Sequence, residues 1–422
     1  MTTHQDVACT VCGCVCDDLT LKFEGDQLTV AERACELARP WLFSLNDARP
    51  PVARVRGQEV ALDEAVAEAA TILKASRAPL IYGLSRSSTP GQRAAVSLAD
   101  KVGAMIDTTA SIGHGPSIMA IQQVGESTCT LGEVAQRADL VIFWGADPAI
   151  SHPRHFERYS LEPSSPFLPN GRADRHVAVI DIRQTATTAI ADEVVLVRRG
   201  CDFEMIAALR MLIRDPDANP NLDCGVPLEQ LKSLAKRMTA CRYGAVFFGL
   251  GIALPHLGHL TVEALLELVA ELNATTRFIA RRLRVSGDVS GADSVLCWQT
   301  GFPFGVDLSR GYPRYNPGEF TTEDLLERDE IDACLVVGSR NLPALSEAAV
   351  KTLQSLPVIA LDSPNAPSPV IEPAVQFTTA VYGIHAAGTA YRMDEVPIPL
   401  RKLIDSPYPT DAELLHRIAE RM

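Results

Sequence analysis

Leu140-Val-Ile-Phe-Trp-Gly145 is an unbroken apolar run closed by a glycine. A strand with no polar alternation is buried on both faces, as strands of a parallel sheet are. The same pattern recurs in both directions along the chain. Pro79-Leu-Ile-Tyr-Gly83 lies upstream. Downstream come Val177-Ala-Val-Ile-Asp181, Val194-Val-Leu-Val197, Ala245-Val-Phe-Phe-Gly249, Arg277-Phe-Ile-Ala280, Cys334-Leu-Val-Val-Gly338 and Val358-Ile-Ala-Leu-Asp362. Helical spacing fills the gaps at Asp63–Ser76 (apolar Val66, Ala69, Ala70, Leu73), Gly91–Val102, Phe203–Ile213, Leu260–Leu272 and Pro343–Leu356. Alternating strands and helices predict doubly wound α/β sheets, covered on both faces. Strands that end in Gly or Asp suit loops that bind ligands beyond the carboxyl edge of a sheet.

The chain has 422 residues, which predicts two or three domains. Its 47% hydrophobic and 22% charged content excludes wholesale disorder. Asp and Glu number 52 against 39 Lys and Arg, a formal charge of −13. That balance repels phosphate backbones and argues against nucleic acid as a partner. No apolar run approaches the ~20 residues of a membrane helix. Met1-Thr-Thr-His-Gln-Asp6 lacks the charged and apolar regions of a secretory signal, so the expected location is the cytoplasm.

Residues 1–50 read as a small cysteine-bearing unit, closed off by Pro50-Pro51. Two short alternating runs, beginning at Leu19 and ending at Val30, flank Glu24-Gly-Asp26 and predict a hairpin. Before it stands Cys9-Thr-Val-Cys12-Gly-Cys14-Val-Cys16, and Cys35 follows. Cys9, Cys12, Cys16 and Cys35 give C-x2-C-x3-C-x18-C. Four thiolates of this kind suit a [4Fe–4S] cluster, and equally a closed zinc site. Four vestigial free thiols are the plain alternative. Cys14, Cys129, Cys201, Cys224, Cys241, Cys297 and Cys334 are scattered and read mostly as buried free thiols.

Four further stretches stand out. Ser111-Ile-Gly113-His114-Gly115-Pro116 is either a turn with a surface histidine or a backbone that lets a ligand approach closely. Asp181-Ile-Arg183-Gln-Thr185-Ala-Thr-Thr188 follows a strand. It can hold a nucleotide's ribose and phosphates, or simply form a capped polar turn. His152-Pro-Arg154-His155 matches no standard metal spacing and reads as loop packing or anion contact. Arg281-Arg282-Leu283-Arg284 reads first as a solvated basic face.

Several long, non-periodic strings carry a resemblance. They are Cys9-Thr-Val-Cys-Gly-Cys-Val-Cys-Asp-Asp18, His114-Gly-Pro-Ser-Ile-Met-Ala-Ile-Gln-Gln-Val-Gly125 and Ser151-His-Pro-Arg-His-Phe-Glu-Arg-Tyr-Ser160. Leu296-Cys-Trp-Gln-Thr-Gly-Phe-Pro-Phe-Gly-Val-Asp307, Arg310-Gly-Tyr-Pro-Arg-Tyr-Asn-Pro-Gly-Glu319 and Gly388-Thr-Ala-Tyr-Arg-Met-Asp394 follow. Nearly end to end, the chain resembles the B subunit of formylmethanofuran dehydrogenase, a tungsten- or molybdenum-pterin subunit related to formate dehydrogenases. The resemblance implies a molybdopterin-oxidoreductase-like core: a Cys-rich unit at 1–50, one α/β domain at 51–135 plus 301–422, and a second inserted at 136–300. It also implies that this chain has no β-barrel pterin domain.

The departures carry the implied function. Where the family has a metal-binding cysteine or selenocysteine before His114, this chain has Gly113. His114 and Arg284 match the family's other residues beside the metal, but a family histidine is Ser286 here and a family glutamate is Ala387. A soft metal centre needs a soft ligand, so the redox site looks dismantled and no molybdenum or tungsten pterin is expected. This pattern resembles the B subunit of the bacterial formyltransferase/hydrolase complex. That complex passes a formyl group from formyl-tetrahydromethanopterin to a methanofuran or methylofuran carrier and releases formate. The resemblance implies that chemistry runs in partner subunits: amidohydrolase-like, formyltransferase and β-rich. Arg183, Thr185, His152, Arg154, Arg282, Arg310 and Arg314 are the candidate contacts for the old cofactor cleft or for the carrier's polyglutamate tail, with Arg281 and Arg284 beside them. The rival is a working dehydrogenase with metal pterin and a live cluster. A ligand-free scaffold is the third reading.

Overall fold

The computed structural model describes residues 1–284, 287–367 and 370–422. The chain divides into two compact units, Met1–Ile112 with Ser286–Met422, and Gly113–Val285.

The first unit is built on a nine-stranded sheet. Its order is Arg314–Tyr315, Val306–Asp307, Met105–Thr108, Pro79–Gly83, Ala333–Val337, Val358–Asp362, Val375–Thr378, Ala53–Val55, Gln58–Glu59. The five strands from Met105–Thr108 to Val375–Thr378 are parallel, and antiparallel strands flank them on both sides. Successive side chains of a strand point to opposite faces, and two separate cores result. Ile81, Ile106, Leu335 and Ile359 pack under the helices Leu62–Ala75, Thr89–Val102, Val289–Thr300 and Asp411–Glu420. Leu80, Tyr82, Cys334, Val336 and Val358 face Leu325, Leu326, Ala349 and Leu353 on the other side. Of the parallel strands the chain lays Pro79–Gly83 first, then turns to one side and later to the other. The strand order therefore reverses between Pro79–Gly83 and Ala333–Val337.

The second unit has five parallel strands: Glu193–Leu196, His176–Asp181, Leu140–Trp144, Tyr243–Phe248, Arg277–Arg282. In chain order this is 3-2-1-4-5, with the reversal between Leu140–Trp144 and Tyr243–Phe248. Ile142, Trp144, Val246 and Phe248 pack with the helices Asp202–Arg214, Leu228–Ala240 and Gly258–Leu272. On the opposite face Phe143 and Phe247 stack at 5.6 Å and receive His155 and Phe156, which begin a single π-helical turn, Phe156–Ser160.

The expected apolar runs are strands, and the expected hairpin is present as Leu19–Glu24 and Gln27–Glu32 turning at Gly25 (φ +63°). Thr2–Val7 adds a third strand beside it. Gly388–Tyr391 and Pro397–Leu400 form a two-stranded ribbon. Among the described residues none of the four sheets closes into a barrel.

Two expectations need correction. Pro343–Leu356 is not one helix. A 3-10 turn, Ser339–Ala344, ends first, and Ser346 caps a new helix, Glu347–Ser355, by accepting from the Ala349 N–H at 3.2 Å. The hydroxyl satisfies an orphan donor of the first turn and so fixes the start. Nor is Arg281–Arg284 a solvated face. Arg281, Arg282 and Arg284 are 2%, 6% and 3% exposed. Arg281 donates to the Cys129 carbonyl at 2.7 Å, and Arg282 pairs with Glu126 at 3.6 Å. Charges enter a dry region only with such partners.

Candidate functional site

The cysteine loop leaves strand Thr2–Val7 and returns as Leu19–Glu24. Cys9 N–H donates to the Cys16 carbonyl at 2.8 Å, and Val15, at φ +38°, donates to the Cys12 carbonyl at 3.2 Å. Cys35 sits just before the helix Ala38–Phe43, and its carbonyl accepts from Arg39 N–H at 2.8 Å. Cys9, Cys12, Cys14 and Cys16 are buried, and Cys35 is half-buried. Burial pushes the Cys9 thiol well up, and the charges of Cys12, Cys16 and Cys35 push it further. The four motif thiols thus share one electrostatic environment. Among the described residues no three His, Cys, Asp or Glu side chains close on one metal ion. The two facts are compatible, because charge acts over longer distances than a coordinate bond. All four candidate ligands are thiols, the donor set a [4Fe–4S] cluster takes and one that zinc also accepts.

In the second unit, Gly113 and His114 lead into the helix Gly115–Val124. His114 is 1% exposed. Its Nε2 stands 3.2 Å from the Leu283 carbonyl and its Nδ1 3.2 Å from Ser117 Oγ. The carbonyl can only accept, so Nε2 carries the proton and Nδ1 accepts from the hydroxyl. Burial, then Arg284 and Arg282, hold its pKa down at about 3. His152 repeats the arrangement one residue on: Nε2 donates to the Arg284 carbonyl at 2.7 Å, and Nδ1 is 2.8 Å from Ser151 Oγ. Burial lowers its pKa to about 4. Two neutral imidazoles therefore clamp consecutive carbonyls where the chain leaves Arg277–Arg282. His155 is engaged with Ser160 Oγ at 2.9 Å and lies edge-on to Phe247 at 4.7 Å. Burial, then His152, takes its pKa to about 3. Arg154 is paired with Glu157. Ser286 lies outside the described residues, and Ala387 is exposed in the other unit.

No thiol is near position 113 in sequence; the next cysteine is Cys129, whose Sγ donates to the Thr130 carbonyl at 3.2 Å. The ring nitrogens of His114 are both already engaged. Gly113 itself offers a soft metal no thiolate.

Arg183 and Thr185 lie elsewhere in the same unit, at a cleft of about 350 Å³ beyond the carboxyl edge. Asp147, Asp181, Arg199 and Asp202 share its wall. It opens where the strand order reverses, the place open α/β sheets use for ligands. Gly145 (φ +57°) and Gly251 make the crossing possible: a Cβ on Gly145 would lie 3.1 Å from the Gly251 Cα. Asp181 receives the Ile182 N–H at 2.7 Å, and Asp202 receives Trp144 Nε1–H at 2.8 Å.

The first unit has its own small crevice at its own reversal, about 50 Å³, lined by Trp41, Arg86, Arg340, Asp362 and Thr379 among others. Arg310 is exposed in this unit, while Arg314 is paired with Asp307 and lies over Phe320 at 4.9 Å. Sequence reading missed two dry carboxylates here. Asp107 accepts from Gly305 N–H (2.9 Å), Thr322 N–H (2.8 Å) and Ser111 Oγ–H (2.6 Å). Burial raises its pKa to about 6 against those bonds. Asp288 accepts from Gly291 and Tyr391 N–H groups at 2.9 Å, and burial raises it to about 7. Both aspartates follow an apolar or turn segment, which was the available signal. Their partners are distant in sequence.

No family model matches the chain. It is 37% identical over 410 residues to the B subunit of tungsten-containing formylmethanofuran dehydrogenase 2 of Methanocaldococcus jannaschii, covering 96% of this chain and 94% of that protein. The subunit of the same name in Methanococcus maripaludis is 35% identical over 431 residues, covering 100% and 99%. The B subunit of the formyltransferase/hydrolase complex Fhc of Methylorubrum extorquens is 27% identical, covering 87% and 97%. A chain in the crystal structure of the Methylorubrum extorquens FhcABCD complex with methylofuran superposes with a TM-score of 0.72 at 26% identity, covering 87% of this chain and 98% of that one. Acetylene hydratase from Pelobacter acetylenicus shares the fold at 11% identity, with a TM-score of 0.70 over 98% of this chain and 69% of its own. With end-to-end identity at this level, and the cysteine loop and the His114 and His152 segments in place, the chain belongs to the family of formylmethanofuran dehydrogenase B subunits.

Proposed function

We propose that this chain is a non-redox subunit of a formyltransferase/hydrolase complex that releases formate from formyl-tetrahydromethanopterin by way of a methanofuran-type carrier. The observation that carries the reading is the site around Gly113. A thiolate is missing there, and the imidazole of His114 is committed to Ser117 and to the Leu283 carbonyl. These residues do not fit a molybdenum or tungsten pterin, so no step is routed through one. The transfer and hydrolysis belong to partner chains, amidohydrolase-like, formyltransferase and β-rich, in the cytoplasm. The likeness to the B subunit of Fhc supports this.

Cys9, Cys12, Cys16 and Cys35 hold a [4Fe–4S] cluster, as part of an N-terminal Cys-rich unit of a molybdopterin-oxidoreductase-like core. Without an electron acceptor the cluster's contribution is structural, since metal binding is folding energy. The emptied clefts guide the carrier's polyanionic tail, because guanidinium groups hold carboxylates in pairs. Arg183 and Arg310 are exposed and open to such contact, whereas Arg282 and Arg284 are buried.

A second reading is favoured by the identities of 37% and 35% to subunits whose names carry tungsten: a redox dehydrogenase subunit. The two separate in one assay of the purified complex. Formylated carrier should give formate without reducing a viologen dye. Dye reduction in step with carrier consumption rejects the non-redox reading. Replacing Arg183 and Arg310 by Ala should slow hydrolysis of long-tailed carrier and leave a tail-less carrier unaffected. Equal effects on both reject the guiding role.

A further inference from the structure

Arg86 follows the strand Pro79–Gly83 in Leu84-Ser85-Arg86-Ser87-Ser88 and reaches the cysteine loop. Its Nη1 donates at 3.3 Å to the carbonyl of Val11, between Cys9 and Cys12. Its Nε is buried and has no hydrogen-bond partner among the described residues. Gly338 (φ +83°) makes the room: a Cβ there would stand 2.8 Å from the Arg86 Cβ and 3.0 Å from its Cγ. The charged groups that act most on this guanidinium are Arg340, Cys12 and Cys9, and Asp362 and Asp411 line the same crevice. Burial first, then Arg340, lowers its pKa to about 10, and the two thiols act the other way. A desolvated cation beside a second cation is costly unless an anion faces it. The four motif thiols, three of them on that loop, supply one once they hold iron. A [4Fe–4S] cluster with four thiolates is a net anion, and more so when reduced.

We propose that Arg86 is the counter-charge of the cluster held by Cys9, Cys12, Cys16 and Cys35, a positioning residue that stabilises its reduced form. This rests on the reading that the four cysteines hold a cluster. In the step concerned the cluster takes one electron from an external reductant such as dithionite, and no bond to Arg86 forms or breaks. The added negative charge falls next to the guanidinium, so the arginine favours reduction. A purely mechanical role, fixing the Val11 carbonyl, would change stability and leave the reduction equilibrium where it was.

The test uses the anaerobically purified complex. Iron and acid-labile sulfide are measured first, then the cluster is titrated with dithionite and followed by EPR. Arg86→Gln should weaken reduction about tenfold, a shift of about 59 mV to lower potential for one electron. Arg86→Lys should stay within about twofold of wild type. Absence of iron and sulfide from the wild-type chain overturns the cluster reading and this proposal with it. Wild-type iron with an unchanged potential in Arg86→Gln overturns the proposal alone. If Arg86→Gln loses its iron, the lysine variant decides. Retained iron at near-wild-type potential supports the counter-charge, and loss in both variants assigns Arg86 to holding the loop.

Discussion

The dry ionisable groups of the first unit include the carboxylates of Asp107, Asp288, Asp362 and Asp411, while those of the second include His114, His152 and His155 and the guanidiniums of Arg281, Arg282 and Arg284. Both units are doubly wound sheets with a strand-order reversal. The carboxylates collect backbone N–H groups from loops: Gly305 and Thr322 on Asp107, Gly291 and Tyr391 on Asp288. The imidazoles do the reverse and donate to carbonyls, Leu283 and Arg284. A carboxylate can take several donors at once, so it ties distant segments together. A neutral imidazole has one donor and one acceptor, and both are spent on this. Both ring nitrogens of His114 are thereby committed to the protein itself, to Ser117 and to the Leu283 carbonyl.

The comparison predicts opposite responses to acid. His114, His152 and His155 have folded pKa values of about 3, 4 and 3, below the ordinary 6.5. Between those limits the unfolded chain binds more protons, so their contribution is present above 6.5 and is lost as pH falls. Asp107 and Asp288, at about 6 and 7, lie above the ordinary 3.8. There the folded chain binds more protons, so that contribution is present below 3.8 and fades as pH rises through 6 to 7. Hydrogen exchange at pH 7 and pH 5, corrected for intrinsic rates, should show the second unit losing protection on acidification while the first holds or gains. Uniform loss across both would break the comparison.

Substitution sharpens it. Glu126→Ala removes a buried carboxylate that pairs with the dry Arg282 and should cost about 3 kcal/mol in denaturant melts, with lost protection centred on Arg277–Arg282. Asp107→Ala should cost a similar ~3 kcal/mol or more, because several buried donors lose their acceptor, with lost protection confined to the first unit. Gly145→Ala meets both a positive φ and the Gly251 backbone, and should cost about 1–3 kcal/mol. The smallest effect tests the helix ends, where the units do not differ. Thr410→Ala removes the capping box of Asp411–Glu420 and Thr130→Ala the cap of Leu131–Arg137, each about 1 kcal/mol.

The strands of both sheets were legible because a fully buried parallel strand writes its burial into every residue, as Leu140–Trp144 does. Helix Glu347–Ser355 was misjudged at its start because apolar spacing runs on through Pro343 and Leu345, although Ser346 held the capping signal. Arg281–Arg284 read as solvated because charge alone does not reveal Glu126 or the Cys129 carbonyl across the unit. Asp107 and Arg86 were invisible for the same reason: Gly305, Thr322 and Val11 are far away in sequence. Gly113 stood out locally only as part of a glycine-rich loop, and the thiolate missing there showed only through the resemblance, since nothing in the local pattern marks it.

The proposed non-redox role requires that this subunit of a metal-pterin family has given up its metal. The direct measurement is the molybdenum and tungsten content of the anaerobically purified complex, by mass spectrometry of the metals against protein concentration. The account predicts neither metal above trace level, whether or not iron is present on the cysteine loop. Molybdenum or tungsten at one atom per chain would contradict it.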